Sequence, residues 1–167
     1  MGKGVNAITL VGPGLDSVYS CPIESEAKRL GIEEFVQYPS RESDAWMSLG
    51  FVEFRRLLDY AEFACEKVGV PFFAEPLRSV EGVITHEECK AAWLPVSEKV
   101  DQLLNIKWEA FECRELEPAC AFEFLSNVDH DSRREMQRNH ALLNRRLRLL
   151  VALFDFAVKN DGFIDFD

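Results

Sequence analysis

Apolar residues recur along two long segments of this chain at the spacing of an α-helix. In the first segment, 44–68, the stripe consists of Met47, Phe51, Phe54, Leu58, Ala61, Cys65 and Val68. In the second segment, 132–159, the same spacing connects Met136, His140, Leu143, Leu147, Leu150, Phe154 and Ala157. Alternating steps of four and three residues place one continuous apolar face on each helix. We therefore expect both helices to pack against the core.

Local signals predict a third long helix and several shorter elements. Thr85 and Glu88 form a Thr-x-x-Glu capping box, which begins a helix that runs towards Leu103. Pro95 predicts a kink or a break in this helix near Leu94, because proline lacks the amide hydrogen and clashes with the preceding turn. Short helices are predicted at 23–30 and 118–126, and short strands at 5–11, 35–38, 80–84 and 163–166. For residues 106–116 the pattern leaves strand and helix open.

These elements predict a mainly α fold with minor β structure. About three long helices carry the core, and a few short strands lie at its periphery. The chain has 167 residues, of which 47% are hydrophobic, and this is enough for one core without disulfides or a metal. We expect a single globular domain over residues 1–167.

Cysteine usage and hydropathy indicate the cellular compartment of the protein. The five cysteines (Cys21, Cys65, Cys89, Cys113 and Cys120) are odd in number and form no CxxC motif. Without a recognisable signal peptide, this usage is typical of a reducing cytoplasm with free thiols. No apolar run approaches the roughly 18 residues of a membrane span. We therefore expect a cytoplasmic protein that has no membrane partner.

The acidic balance of the chain favours a basic protein partner. The sequence has 29 acidic and 19 basic residues, for a net charge of −10, which disfavours direct binding of nucleic acid. Acidic patches accelerate association with basic proteins, although acidic surfaces are also common on soluble proteins. The candidate contacts, chosen for charge density, are Glu62, Glu66, Glu109, Glu112 and Glu115. Phe72 and Phe73 are the preferred aromatic anchor; the alternative is that they cover the core.

One segment of this acidic chain is basic: residues 133–148 hold six arginines and one glutamate. At about 100° per residue, Arg134, Arg138, Arg145 and Arg148 share a sector of roughly 80° on the predicted last helix. The guanidinium group suits carboxylates and phosphates. This stripe is therefore a candidate face for docking an anion or a partner; alternatively, it pairs with acidic groups of the same chain.

Motifs for catalysis or a cofactor are weak. Asp129, His130 and Asp131 form a polar loop that could serve acid–base or metal chemistry, but a cap or turn role explains it better. Gly12-Pro13-Gly14 resembles a nucleotide-binding loop only superficially, because no parallel βαβ unit follows it. His140 lies on a core stripe, where a buried and hydrogen-bonded histidine is the usual case. The sequence predicts neither a cofactor nor a metal.

The sequence therefore predicts a non-enzymatic protein that binds another protein. Its most concrete form is an acidic inhibitor or immunity-type protein that covers a basic toxin or nuclease. One alternative is a small hydrolase, metal-dependent or acid–base, that uses Asp129, His130 and Asp131. Another is a helical structural subunit that forms homo-oligomers through residues 147–158 or docks by the arginine stripe.

Overall fold

The computed structural model describes residues 2–8 and 46–166, with the side chains of these residues except 6–8 and 46. Within these ranges the chain forms six α-helices and one four-stranded antiparallel sheet. The strands are β1 (Gly2–Ile8), β2 (Trp46–Gly50), β3 (Gly82–Ile84) and β4 (Phe163–Phe166). The helices are α1 (Phe51–Val68), α2 (His86–Ser97), α3 (Val100–Leu103), α4 (Trp108–Glu112), α5 (Pro118–Asn127) and α6 (His130–Lys159), and a 3-10 turn covers Glu75–Arg78. The predicted mainly α fold with minor β structure is confirmed.

Several predictions lie outside the described residues. They are the helix at 23–30, the strand at 35–38, the Gly12-Pro13-Gly14 loop, and the last three residues of the strand at 5–11. Within the described part, β1, β3 and β4 all overlap the strands expected from the sequence.

The sheet joins elements that are far apart in the sequence. Its strand order is β2-β1-β4-β3, and every pairing is antiparallel. Val5 of β1 is opposite Met47 of β2 on one side and Phe166 of β4 on the other, and all three side chains are buried. Helices α1 and α6 contact this sheet, so the core lies between the sheet and the two longest helices.

The predicted helix at 44–68 is wrong at its beginning, because residues 46–50 form β2. The segment pairs with β1, and Met47 is buried there while Ser48 is exposed, as the two-residue period of a strand requires. Gly50 has an extended backbone (φ −57°, ψ 147°), and α1 begins after it. Phe51, assigned to the apolar stripe, is consequently exposed. The end of the helix is as expected, since Gly69 takes the left-handed conformation (φ 72°) that terminates many helices.

The capping box that begins α2 is confirmed. The Thr85 side chain accepts a hydrogen bond from the Glu88 amide, and the Glu88 carboxylate accepts one from the Thr85 amide at 2.8 Å. The predicted break near Leu94 is misplaced, because α2 continues through Pro95 to Ser97 and α3 follows after a short turn. The ambiguous segment 106–116 contains helix α4.

The last helix is the central element of the core. It begins at His130, two residues before the predicted start, and ends at Lys159 as expected. In its second half Leu147, Leu150, Leu153, Phe154 and Ala157 have no exposed surface. Most of the apolar residues in 147–158 therefore pack within their own chain, whereas Ala152, Phe156 and Val158 remain half-buried.

A lysine inside the fold connects β1 to the 3-10 turn. The Lys3 ammonium donates hydrogen bonds to the carbonyl oxygens of Leu77, at 2.6 Å, and Ser79. The same ammonium lies 4.6 Å from the centre of the Phe166 ring and 5.2 Å from that of Phe54. Carbonyl dipoles and aromatic faces both stabilise a cation that has left water. Nothing in the sequence pattern predicted this burial.

Candidate protein-binding surfaces

Three of the five glutamates chosen from the sequence lie around one open depression. This acidic depression has a volume of about 400 Å³ and is lined by Asp59, Glu62, Phe63, Glu66, Lys67, Arg114 and Glu115. Helix α1 supplies Asp59, Glu62 and Glu66 at helical spacing, and the turn after α4 supplies Glu115. Four carboxylates and two cations give the depression a negative balance.

Part of this negative charge is already paired within the chain. Arg78, from the 3-10 turn, forms salt bridges with Asp59 at 3.2 Å, Glu62 at 2.5 Å and Glu75 at 3.2 Å. Glu66 and Glu115 are exposed, which makes them the stronger candidates for contact with a partner.

The other two glutamates, Glu109 and Glu112, lie on α4 beside the depression and are not part of its lining. Helix α4 is held by Phe111, whose ring packs edge-on against Tyr60 at 4.9 Å and contacts Phe63 at 5.4 Å. The two carboxylates act electrostatically on His140 of α6. They therefore belong to a second site, the contact between α4 and α6.

At that contact a histidine and a tyrosine share a hydrogen bond. The Tyr60 hydroxyl lies 3.1 Å from His140 Nε2. Burial lowers the pKa of His140, and Glu112, Glu109 and a hydrogen bond to the Ile106 backbone act in the opposite direction. Burial also raises the pKa of Tyr60 to about 12. A neutral imidazole that accepts from the tyrosine is the arrangement these shifts favour.

The aromatic anchor expected at Phe72-Phe73 is wrong for Phe73. This side chain has no exposed surface and packs edge-on against Phe154 at 5.0 Å and Trp93 at 5.4 Å. Phe72 is half-buried and lies under the Arg78 guanidinium, at 5.3 Å. Both residues pack in or against the core, which is the alternative that the sequence left open.

The four arginines of the predicted stripe share an exposed face of α6. Arg134, Arg138, Arg145 and Arg148 are exposed, and none of them forms an ion pair with another residue of the described ranges. The flanking arginines behave differently, since Arg133 donates to the Leu125 carbonyl at 2.7 Å and Arg146 to Glu53 at 2.7 Å. Among the described residues, the flanking arginines therefore have partners in the same chain, whereas the ion pairs found there include none of the four stripe arginines.

A helical arm, defined here as residues 118–142, stands away from the core. It comprises α5 and the first half of α6, and none of its residues is buried; the first buried residue of α6 is Leu143. Phe122 on α5 is 77% exposed, and Leu142 on α6 is 44% exposed. The sequence analysis missed this arm, although the short α5 carries several apolar residues without a continuous stripe.

The Asp129-His130-Asp131 loop is the beginning of α6. The Asp129 carboxylate accepts hydrogen bonds from the amides of Asp131 and Ser132 and from the Ser132 hydroxyl, and these bonds lower its pKa. His130 points into solvent, 3.4 Å from the Asp131 carboxylate. The capping role considered for this loop is the one observed. No group of three or more His, Cys, Asp or Glu in residues 2–8 and 46–166 is placed to hold a metal ion.

The cysteines follow the expected pattern where they are described. Cys65, Cys89, Cys113 and Cys120 carry free thiols, and the first two are buried. Burial raises the pKa of Cys65 to about 11, so this thiol is unreactive at neutral pH. None of the helices in the described ranges combines the length and the apolar composition that a membrane crossing requires.

Comparison with known proteins identifies no relative of this chain. The sequence matches no protein-family model, no curated protein and no solved structure. We therefore base the functional proposal on the surfaces described above.

Proposed function

We propose that this chain is a non-enzymatic protein that binds a basic protein through the acidic depression. The observation that carries the proposal is the convergence of Glu62, Glu66 and Glu115, which come from two separate segments, around one open hollow. Such a surface attracts a basic partner and excludes acidic ones. An inhibitor or immunity-type protein that covers a basic toxin or nuclease is the most concrete form of this function.

The contacts within the depression indicate how binding would work. Glu66 and Glu115 are exposed, whereas Glu62 is held by Arg78. A basic side chain can approach Glu66 without breaking a salt bridge among the described residues, whereas at Glu115 it would compete with the Arg114 guanidinium, 3.7 Å away. Phe63 lines the depression, is 8% exposed, and lies 5.4 Å from the Lys67 ammonium, so the chain's own lysine already packs on this ring.

Charge reversal tests the proposal. The tagged wild-type chain, the Glu66→Lys/Glu115→Lys variant and a control variant are used to capture proteins from cells of the source organism. The control, Glu81→Lys/Glu98→Lys, makes the same change in net charge at exposed positions outside the depression. The captured proteins are quantified by mass spectrometry at low salt and at about 0.5 M salt, where exposed charge contacts are screened.

We expect one basic protein to bind the wild type and the control at low salt. The same protein should be lost with Glu66→Lys/Glu115→Lys and weakened at high salt. Equal capture by both double variants, or no basic protein at either salt, would refute the proposal. The second candidate, a helical subunit that self-associates, is favoured by one specific observation, which is the arm without buried residues. No comparable observation favours the hydrolase.

A further inference from the structure

One arginine of this chain already occupies carboxylates of the acidic depression. The Arg78 guanidinium has one terminal nitrogen 3.2 Å from the Asp59 carboxylate and the other 2.5 Å from that of Glu62. These two carboxylates lie three residues apart on α1, so they are neighbours on the helix surface, and both line the depression. The remaining nitrogen, Nε, donates to Glu75 at 3.2 Å, within the 3-10 turn that carries Arg78. The planar fork of the guanidinium thus spans two acceptors that α1 holds side by side.

An aromatic ring completes the surroundings of this guanidinium. The central guanidinium carbon of Arg78 lies 5.3 Å from the centre of the Phe72 ring. Carboxylates and aromatic faces are the groups with which arginine interacts most favourably in proteins. Asp59, Glu62 and Phe72 therefore form a site that suits one arginine side chain, and in the free chain Arg78 takes it.

These contacts lie at the surface, so they can be exchanged. The Arg78 side chain is 31% exposed, and the side chains of Asp59 and Glu62 are 50% and 42% exposed. Salt bridges in such positions contribute little to stability, because water and salt screen them. A guanidinium from a partner would form the same bonds that Arg78 gives up. Because Arg78 is the last residue of the 3-10 turn, its side chain can leave α1 without unfolding the turn.

We propose that Arg78 is an internal competitor, which occupies Asp59 and Glu62 in the free chain and is displaced by an arginine of the basic partner. This inference rests on the proposed function, because it concerns regulation of the same depression. It also specifies the chemistry of the partner, which presents a guanidinium to Asp59 and Glu62 and a second basic group to Glu66. Self-occupation weakens the binding of every cation at this place, so a partner binds well only if its own fork can replace that of Arg78.

Fluorescence anisotropy of a labelled oligo-arginine peptide, titrated with the full chain at physiological salt, tests the competition. Arg78→Gln should bind the peptide at least about fivefold more tightly than the wild type, which corresponds to about 1 kcal/mol. Arg78→Lys keeps the charge and lacks the fork, so it should also bind more tightly. Arg148→Gln removes the same charge at an exposed position of α6 outside the depression. Its affinity should stay within about twofold of the wild type, because distant exposed charges are screened.

Displacement has a direct readout that needs no substitution. The NMR resonance of the Arg78 Nε–Hε group should shift as the peptide saturates the wild-type chain. The corresponding resonance of Arg133, whose guanidinium donates to the Leu125 carbonyl on α5, is the control and should stay in place. An Arg78 resonance that does not move at saturation would overturn the proposal.

The affinities separate this inference from the proposed function. Wild-type affinity in both Arg78→Gln and Arg78→Lys would refute the internal competition. If Glu66→Lys/Glu115→Lys then still abolishes peptide binding, the acidic depression binds cations without being regulated by Arg78. Failure of every variant to bind the peptide would also refute the competition, because the freed carboxylates would then not accept a guanidinium. The proposed function fails by a different result, the absence of a captured basic protein.

Discussion

The Tyr60 hydroxyl and His140 Nε2 are 3.1 Å apart and connect α1 to α6 at the point where the arm leaves the core. The two residues are 80 positions apart in the sequence. Their rings also meet edge-on, with centroids 5.4 Å apart. On the C-terminal side of this contact, from Leu143 onward, α6 contributes buried residues to the core. On its N-terminal side no residue of α6 is buried. The pair therefore fixes the direction in which the arm leaves the domain.

Removal of the tyrosine hydroxyl should weaken this connection. Tyr60→Phe keeps the buried ring and leaves His140 Nε2 without its donor. We expect the free energy of unfolding to fall by about 1 kcal/mol, the usual effect of losing one hydrogen bond in a partly buried site. Urea denaturation followed by circular dichroism measures this change. Ser97→Ala, which removes an exposed hydroxyl that bonds the Leu94 carbonyl, is the control and should have a smaller effect. An unchanged stability of Tyr60→Phe would mean that the bond is not formed in solution.

The same histidine predicts a pH dependence of stability. Burial lowers the pKa of His140 in the folded chain below its ordinary value of 6.5. Between these two pKa values the unfolded chain binds more protons than the folded one, so stability must fall as the pH drops below about 6.5. The groups that face His140 are Tyr60, Glu109 and Glu112.

The measurement is the urea midpoint of unfolding at several pH values between 5 and 7.5, values chosen to span roughly one unit on each side of the ordinary histidine pKa. His140→Gln should remove part of the decline at low pH. His130→Gln, at a histidine that is 78% exposed, is the matched control and should keep the wild-type profile. Parallel profiles for wild type and His140→Gln would contradict the assignment of the low-pH loss of stability to His140.

The capping box at the beginning of α2 predicts how substitutions of Thr85 change the stability of the fold. Thr85→Ala removes the oxygen that accepts from the Glu88 amide, and it should cost about 1 kcal/mol of stability. Thr85→Ser keeps that oxygen and should retain most of the stability. Denaturant titrations of the two variants beside the wild type test this, and equal losses in both would show that the cap contributes little.

Patterns in the sequence predicted those elements that depend on residues close together in the chain. The stripe from Leu143 to Ala157, the Thr85 capping box and the ends of α1 and α6 depend on helical spacing and on single capping residues, and they are confirmed. The strand β2 could not be found in this way. Met47 fits a helical stripe and a strand equally well, and only pairing with β1 decides between them.

The residues of the acidic depression could likewise be predicted only in part, because tertiary contacts decide how they are paired. Charge density identified Glu66 and Glu115, and the spacing of α1 explains why Glu62 and Glu66 lie together. The pairing of Glu62 with Arg78 depends on a tertiary contact across 16 residues. Phe73 and Phe122 are both phenylalanines next to irregular segments, and the sequence has no signal that one is buried and the other exposed. Burial at such positions is set by what packs over them.

That difference between phenylalanines can be measured directly. Phe154→Ala removes a side chain with no exposed surface and should destabilise the fold by roughly 3–5 kcal/mol. Phe122→Ala removes the same atoms from a side chain that is 77% exposed, and the effect should stay within about 0.5 kcal/mol. Both are measured by denaturant titration at low protein concentration, so that association does not contribute. A large loss in Phe122→Ala would show that the arm packs against the domain.

The contact between Glu53 and Arg146 gives a test of how α1 is oriented on α6. The Arg146 guanidinium donates to Glu53 at 2.7 Å, and this hydrogen bond, with the charge of the arginine, lowers the pKa of Glu53. Arg146→Gln should therefore raise the pKa of Glu53 towards its ordinary value, which NMR titration of the side-chain carboxyl carbon measures. Arg145→Gln is the matched control, because Arg145 is the neighbouring residue in the helix and is exposed. If both variants shift the pKa equally, general charge effects outweigh the direct bond. If neither shifts it, α1 and α6 do not bring these two side chains together in solution.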